Sequence, residues 1–186
     1  MSAVVLVEGE SDRRALDAAA RVRGVVVEAE RIVLGGITNL RSALESPRLS
    51  GRPVLGLYDT AERRYVLGAL AAVGRDPSPG SGDRGEEAAL EAIGFFGCDR
   101  DLEDEAIRAA GAELVLRTLR DRSELALFRV FQGQPAQRDR PLDAQLHRFA
   151  GTASGRKVRF AADVIAALQP DELPGPLDRL LDALTA

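Results

Sequence analysis

Short apolar runs that stop at acids, each followed by a stretch of helical periodicity, constrain this chain more than anything else in it. The first, Val4-Val5-Leu6-Val7, is long enough for one buried strand and ends at Glu8-Gly9-Glu10-Ser11-Asp12, where the Ser-Asp pair can start a helix. From Ser11 to about Arg23, Ala15, Leu16, Ala19 and Val22 fall on one helical face, and Gly24 ends the pattern. Val25 to Val27 and Arg31 to Leu34 are short β-branched runs, the second closing at Gly35-Gly36, a turn free to take positive φ. Thr38 to Glu45 reads as a short helix stopped by Pro47. Pro53 to Tyr58 reads as a third strand ending at Asp59, and about Ala61 to Val73 as a helix that packs through Tyr65, Leu67, Leu70 and Val73. Strand and helix in strict alternation predict parallel βαβ units and an α/β fold.

Gly74 to Gly85 is a Gly-, Pro- and Ser-rich stretch expected to be an exposed, mobile loop. Glu86 to Ile93 is expected to be a helix and Phe95-Phe96-Gly97 a fourth short strand, which feeds Asp99-Arg100-Asp101-Leu102-Glu103-Asp104-Glu105, the densest acidic cluster in the chain. Beyond it the pattern is helical, at about 102–110, 113–120, 123–131, 142–149, 156–168 and 176–184. The expected organisation is an α/β core over residues 1–116 and a helical extension over 117–186 packed on it, with a central, mostly parallel four-stranded sheet flanked by helices. No internal repeat is visible.

Composition narrows the chemistry. One cysteine, Cys98, excludes an internal disulfide framework and a cysteine-based zinc site, and reads as a small core residue rather than a nucleophile. One histidine, His147, argues against a histidine-rich metal site or a Ser-His-Asp triad, and is expected on an amphipathic helix facing solvent or phosphate. A metal site in this chain would therefore rest on carboxylates, which suit magnesium or manganese. No run approaches a membrane span and no basic segment precedes an apolar one at the N-terminus, so the expected location is cytoplasmic.

Charge is distributed unevenly. Residues 1–116 carry 14 basic and 20 acidic groups, 117–160 carry 10 and 4, and the remainder 1 and 5. An acidic sheet edge followed by a basic arm suits metal ions beside a phosphate backbone, although an Arg-rich solvated helical surface would look the same. Of the 25 basic residues only Lys157 is lysine, a choice that matters where hydration and geometry of the cation matter. Aromatic residues make up 4% with no Trp, so phosphate contacts by Arg are a better expectation than base stacking.

Three strand ends thus present carboxylates: Glu8 with Asp12, Asp59 with Glu62, and the cluster from Asp101 to Glu105. In a parallel sheet the carboxyl ends of neighbouring strands lie side by side, so these acids can converge. Like charges brought together repel and raise one another's pKa, and a divalent cation relieves that. Each acid also has a plain structural reading. Asp12 can serve a helix start, Asp59 can cap the next helix, Glu62 can sit in its first turn, and the acidic cluster can be a solvated helix N-terminus.

Glu8-Gly9-Glu10-Ser11-Asp12 after an apolar strand resembles the opening motif of TOPRIM domains, in particular those of the overcoming-lysogenization-defect (OLD) family nucleases. The resemblance continues through Gly35-Gly36-Ile37-Thr38-Asn39-Leu40, Leu57-Tyr58-Asp59, Leu102-Glu103-Asp104 and Gly155-Arg156-Lys157 and so spans nearly the whole chain. It implies a Rossmann-like TOPRIM fold and metal-dependent phosphodiester chemistry on DNA. It further implies that Glu8 and Asp12 bind metal or move a proton, and that Asp59 is the central ligand. Glu103, helped by Asp101 or Glu105, would serve a second metal position, and Lys157 would stabilise charge on the phosphate. One position departs from the pattern: where TOPRIM domains carry D-x-D, this chain reads Asp59-Thr60-Ala61-Glu62, so Glu62 must replace the missing acid or the activity is weakened or lost.

The nucleic-acid contacts expected from the basic arm are Arg138, Arg140, Arg148, Arg156 and Arg159, with weak sequence preference. Gly151 to Lys157 misses the spacing of a phosphate-binding loop, so no ATP site is expected. OLD nucleases commonly carry an ATPase domain; ATP dependence here would need a separate ATPase chain. A homodimer is compatible with the resemblance. Two rival readings stay open: a non-catalytic TOPRIM module binding nucleic acid or a partner, and a nucleotidyl transferase, disfavoured because Tyr58 and Tyr65 read as packing residues.

Overall fold

In the computed structural model, which describes residues 2–77 and 82–185, the chain forms four strands and the helices that flank them. The strands are β1 (Val4–Val7), β2 (Glu30–Val33), β3 (Val54–Asp59) and β4 (Phe95–Cys98). The helices are α1 (Glu10–Arg23), α2 (Leu40–Leu44), α3 (Arg63–Ala72), α4 (Asp83–Ala92), α5 (Leu102–Asp121), α6 (Leu125–Gln132), α7 (Leu142–Ala150), α8 (Ser154–Ile165) and α9 (Gly175–Thr185). The four strands make one all-parallel sheet in the order β2-β1-β3-β4.

Side chains alternate across a strand, and this sheet is buried on both faces. Val5, Val7, Leu55, Leu57, Phe96 and Cys98 face a core completed by residues of α1 and of α5 to α9, among them Leu16, Ile107, Leu146, Phe160 and Leu177. Val4, Leu6, Val54, Tyr58 and Phe95 face a second core with Leu40 of α2, Val66 and Leu70 of α3 and Leu90 of α4. The predicted α/β class therefore holds, with the C-terminal helices stacked on one face. Helix α5 runs continuously past residue 116, so the helical part enters the core through it.

Local signals read as expected where a backbone requirement backs them. Gly24 ends α1 at φ 70°, its N–H on Arg21 O and that of Val25 on Ala20 O, a left-handed cap that a side chain would strain. Other expectations are corrected. Val25 to Val27 is not a strand: Val27 is buried but Val26 is 84% exposed, so three branched residues serve as a linker with one anchor. On α3 the packed face is Val66, Ala69 and Leu70, while Tyr65 is exposed and its hydroxyl donates to Thr38 O. The expected 74–85 loop is shorter, because α4 already begins at Asp83; residues 78–81 of it lie outside the described residues. Gly111 in α5 has φ 66° and ψ 156°, a break that matches the two helical segments read from the sequence.

Candidate metal centre

Strand order decides where a site can form. The chain leaves β1 toward β2 on one side, while β3 lies on the other, so the order reverses between β1 and β3. Open parallel sheets have their ligand crevice at the carboxyl ends of the strands at such a reversal. Glu8 directly follows β1 and Asp59 closes β3, one on each side of that point. The Gly35-Gly36 turn after β2 holds the backbone there: both residues have positive φ, and their N–H groups donate to Glu8 O at 3.0 and 3.3 Å. A crevice of about 560 Å³ results, with Glu8, Asp12, Asp59, Asp101, Glu103 and Lys157 in its walls.

Glu8, Asp59 and Glu62 each offer a carboxylate oxygen within 4.8 Å of the other two. Asp59 stands where it could cap the turn Thr60–Glu62, yet its side chain makes no cap hydrogen bond, leaving the carboxylate to the crevice. Burial, with Asp12, Asp101, Glu8 and Glu62 nearby, pushes its pKa up to about 8. Glu62 follows one 3₁₀ turn later and comes back toward Glu8, which places an acid beside Asp59 that Ala61 cannot supply. Its pKa is raised, by burial first and by Glu8 next.

Asp12 does two things. Its Oδ2 accepts from Gly9 N at 2.8 Å, so it closes the start of α1, and it also lines the crevice. Burial lifts its pKa to about 6, with Glu8 and Asp101 adding to the shift, while the Gly9 N–H and Lys157 oppose it.

The acidic cluster at the start of α5 divides. Asp101 is the cap of α5, Oδ1 accepting from Asp104 N at 2.8 Å. Its Oδ2 lies 2.6 Å from His147 Nε2 on α7. Burial disfavours the Asp101 carboxylate, but the bonds from His147 and Asp104 outweigh it and hold its pKa below the usual range. Being ionised, Asp101 only accepts, so the proton of this bond sits on Nε2. Glu103 lines the crevice, its pKa raised by burial and then by Asp101 and Asp12. Glu105 lies elsewhere: its Oε1 accepts from Asp99 N and from Arg108, at a separate hollow near Thr60.

The basic arm divides as well. Lys157 of α8 is exposed and reaches the crevice, and no ion pair of it is found among the described residues. Arg138, Arg140 and Arg148 are exposed. Arg156 is only 7% exposed and is saturated inside the protein, by Glu124, Phe149 O and Thr152 Oγ1, with its guanidinium 3.8 Å above the Phe149 ring. Arg159 is held by Glu124, Gly155 O and Asp163. Sequence reasoning gave neither of two neighbouring groups a role at the site. His147 meets Asp101 across 46 residues, a pairing no local spacing announces, and Arg100 is hidden among acids.

Two buried oxygens, Glu62 Oε2 and Glu103 Oε1, have no hydrogen-bond partner. Unpaired buried polar atoms are costly, and here they belong to acids whose pKa values burial has already raised. A cation satisfies both conditions at once, and the donor set is all oxygen, as a hard divalent ion requires. The residues present fit a metal; Glu8, Asp59 and Glu62 could hold it.

A parallel sheet with acids at the ends of its two central strands and a helical cap is the fold of TOPRIM-containing proteins. Among solved structures the chain is similar to the C-terminal region of the OLD protein of Xanthomonas campestris pv. campestris: 25% identity over 98% of this chain and 95% of that one, TM-score 0.65. It is also similar to the C-terminal region of the Burkholderia pseudomallei OLD protein, at 19% identity over 98% and 96%, TM-score 0.69. No protein-family model and no curated protein matches the sequence.

Proposed function

We propose that this chain is a divalent-metal-dependent phosphodiesterase that nicks or cleaves DNA. The observation that carries the reading is the convergence of Glu8, Asp59 and Glu62 within 4.8 Å at the reversal point of the sheet. Glu8, Asp59 and Glu62 hold one ion, and Glu103, with Asp12 and Asp101 close by, lines a second position. A magnesium or manganese ion bound there supplies neutralisation of phosphate charge and acidity for an attacking water. The protein's own part is to orient and to stabilise. Strands β1 and β3 fix Glu8 and Asp59 on a rigid edge. Asp12 ties α1 to that edge through Gly9, and the Lys157 ammonium on α8 stabilises negative charge developing on the phosphate. In this arrangement residues 1–116 supply the acids and 117–186 the cation. ATP dependence, where it exists, comes from another chain.

Ala61 favours one rival, a TOPRIM module that binds DNA without cutting it. A supercoiled plasmid separates the two. Nicking that needs magnesium or manganese, stops in EDTA and is lost in Glu8→Gln and Asp59→Asn supports hydrolysis. A plasmid left intact under every metal, with a salt-sensitive mobility shift, establishes the binding module instead.

A further inference from the structure

A second concavity, about 350 Å³, adjoins the acidic crevice and shares His147 and Gly151 with it. Its other walls are Arg100, Arg148, Phe131 and Thr152, so it has two guanidinium groups and no carboxylate. By contrast, the acidic crevice and the hollows beside Thr60, Arg13 and Arg75 all include acids. Most arginines of this chain are engaged by carboxylates; these two are largely free. Arg148 is exposed and no ion pair of it is found among the described residues, and the ion pair of Arg100 with Asp104 spans 3.8 Å.

The floor of this concavity is also prepared for negative charge. It lies at the C-terminal end of α7, where free carbonyls would repel an anion. Here Phe149 O accepts from Thr152 N at 3.1 Å, from Thr152 Oγ1 at 2.8 Å and from the buried Arg156 at 3.2 Å. Donors thus cover the negative pole, one of them a cation.

We infer that the Arg100–Arg148 concavity is a subsite for a backbone phosphate of a DNA strand, next to the phosphate that enters the acidic crevice. This deepens, and rests on, the reading of the crevice as a DNA-processing site. An acidic crevice attracts a polyanion only through its metal ions, so the neighbouring phosphates need cations that no carboxylate competes for. Arg100 and Arg148 are such a pair, and they set the side on which the strand leaves the crevice. Arg156 and Arg159, though basic and on the same arm, take no part, because their charges are consumed inside the fold.

The test is binding of a labelled single-stranded oligonucleotide in calcium or EDTA over a range of salt, which needs no turnover. Neutralising both residues (Arg100→Gln with Arg148→Gln) should weaken binding roughly tenfold near physiological salt and reduce the log–log salt slope by about 2, close to one for each phosphate that no longer meets a cation. A charge-matched pair on the opposite side of the sheet, Arg64→Gln with Arg84→Gln, should leave the slope within about 0.5 of wild type on the same scale. Equal losses from the two pairs, or no loss from the first, overturns the subsite. Because the measurement is independent of cleavage, a wild-type protein that never cuts DNA would sink the hydrolase reading while leaving this comparison decisive.

Discussion

Asp101 has both carboxylate oxygens committed, one to the start of α5 through Asp104 N and the other to His147 on α7. Its pKa lies below the ordinary range, while those of Asp12, Asp59 and Glu103 around it are shifted upward. Asp101 is therefore an anchor that keeps Glu103, two residues on, at the crevice, with His147 as a positioning residue acting through it. A lowered folded pKa contributes stability above the unfolded value near 4, and that contribution is lost as pH falls through the folded pKa. His147→Ala should therefore cost about 1 kcal/mol at neutral pH, a fall in Tm of about 2–4 °C, and the gap from wild type should close below about pH 4. Thermal scans across that range check it; a gap that stays constant with pH would mean that His147 contributes packing alone. The pairing could not be read from the sequence because it joins a loop and a helix far apart in the chain. The scatter of the α5 acids could have been foreseen in part. Residues two apart on a helix point to opposite sides, so Glu103 and Glu105 could never both face one crevice.

Strand β3 is the element on which the site depends, since it pairs with both β1 and β4 and ends in Asp59. Gly56 at its centre is required by close packing. A Cβ there would lie 2.8 Å from the Phe95 ring and 3.3 Å from Leu6 O, contacts that neither the ring nor the backbone can easily release. Gly56→Ala is expected to destabilise the fold by about 1–3 kcal/mol through overpacking, seen as a lower midpoint in urea with an unchanged m-value. An alanine variant as stable as wild type would show that Phe95 swings aside without cost. The strands themselves were legible because all four are buried runs with a forced stop, an acid or a glycine, after them. Val25 to Val27 misled for the same reason: the composition was that of a strand, but the run lacked a partner edge, and Val26 points to solvent. Arg156 and Arg159 show the limit of counting charge by segment. Glu124, on the turn before α6, draws both inward, which a local tally of basic residues cannot reveal.

At the scale of the whole molecule, the folded state and the metal compete with protons for the same carboxylates. Asp59, raised to about 8, and Asp12, raised to about 6, bind protons more tightly in the folded protein than in the unfolded chain. Without metal, their contribution to stability is therefore greatest at acid pH and diminishes as pH rises through about 6 and then about 8, the reverse of the usual carboxylate pattern. A cation bound by Glu8, Asp59 and Glu62 must displace the Asp59 proton below about pH 8 and finds the carboxylate already charged above it. Apparent affinity should thus rise up to about tenfold per pH unit for each proton displaced, and then level off. Melting the protein in EDTA and in magnesium from about pH 5.5 to about pH 9 tests this directly. The metal-induced rise in Tm should be smallest near pH 6, grow toward pH 8 and flatten beyond it, and calorimetry at about pH 7 should show protons released on binding. In Asp59→Asn the pH dependence should collapse along with most of the affinity. A metal-induced shift that is the same at every pH would place the ion away from Asp59, and the convergence of Glu8, Asp59 and Glu62 would then have to be explained without it.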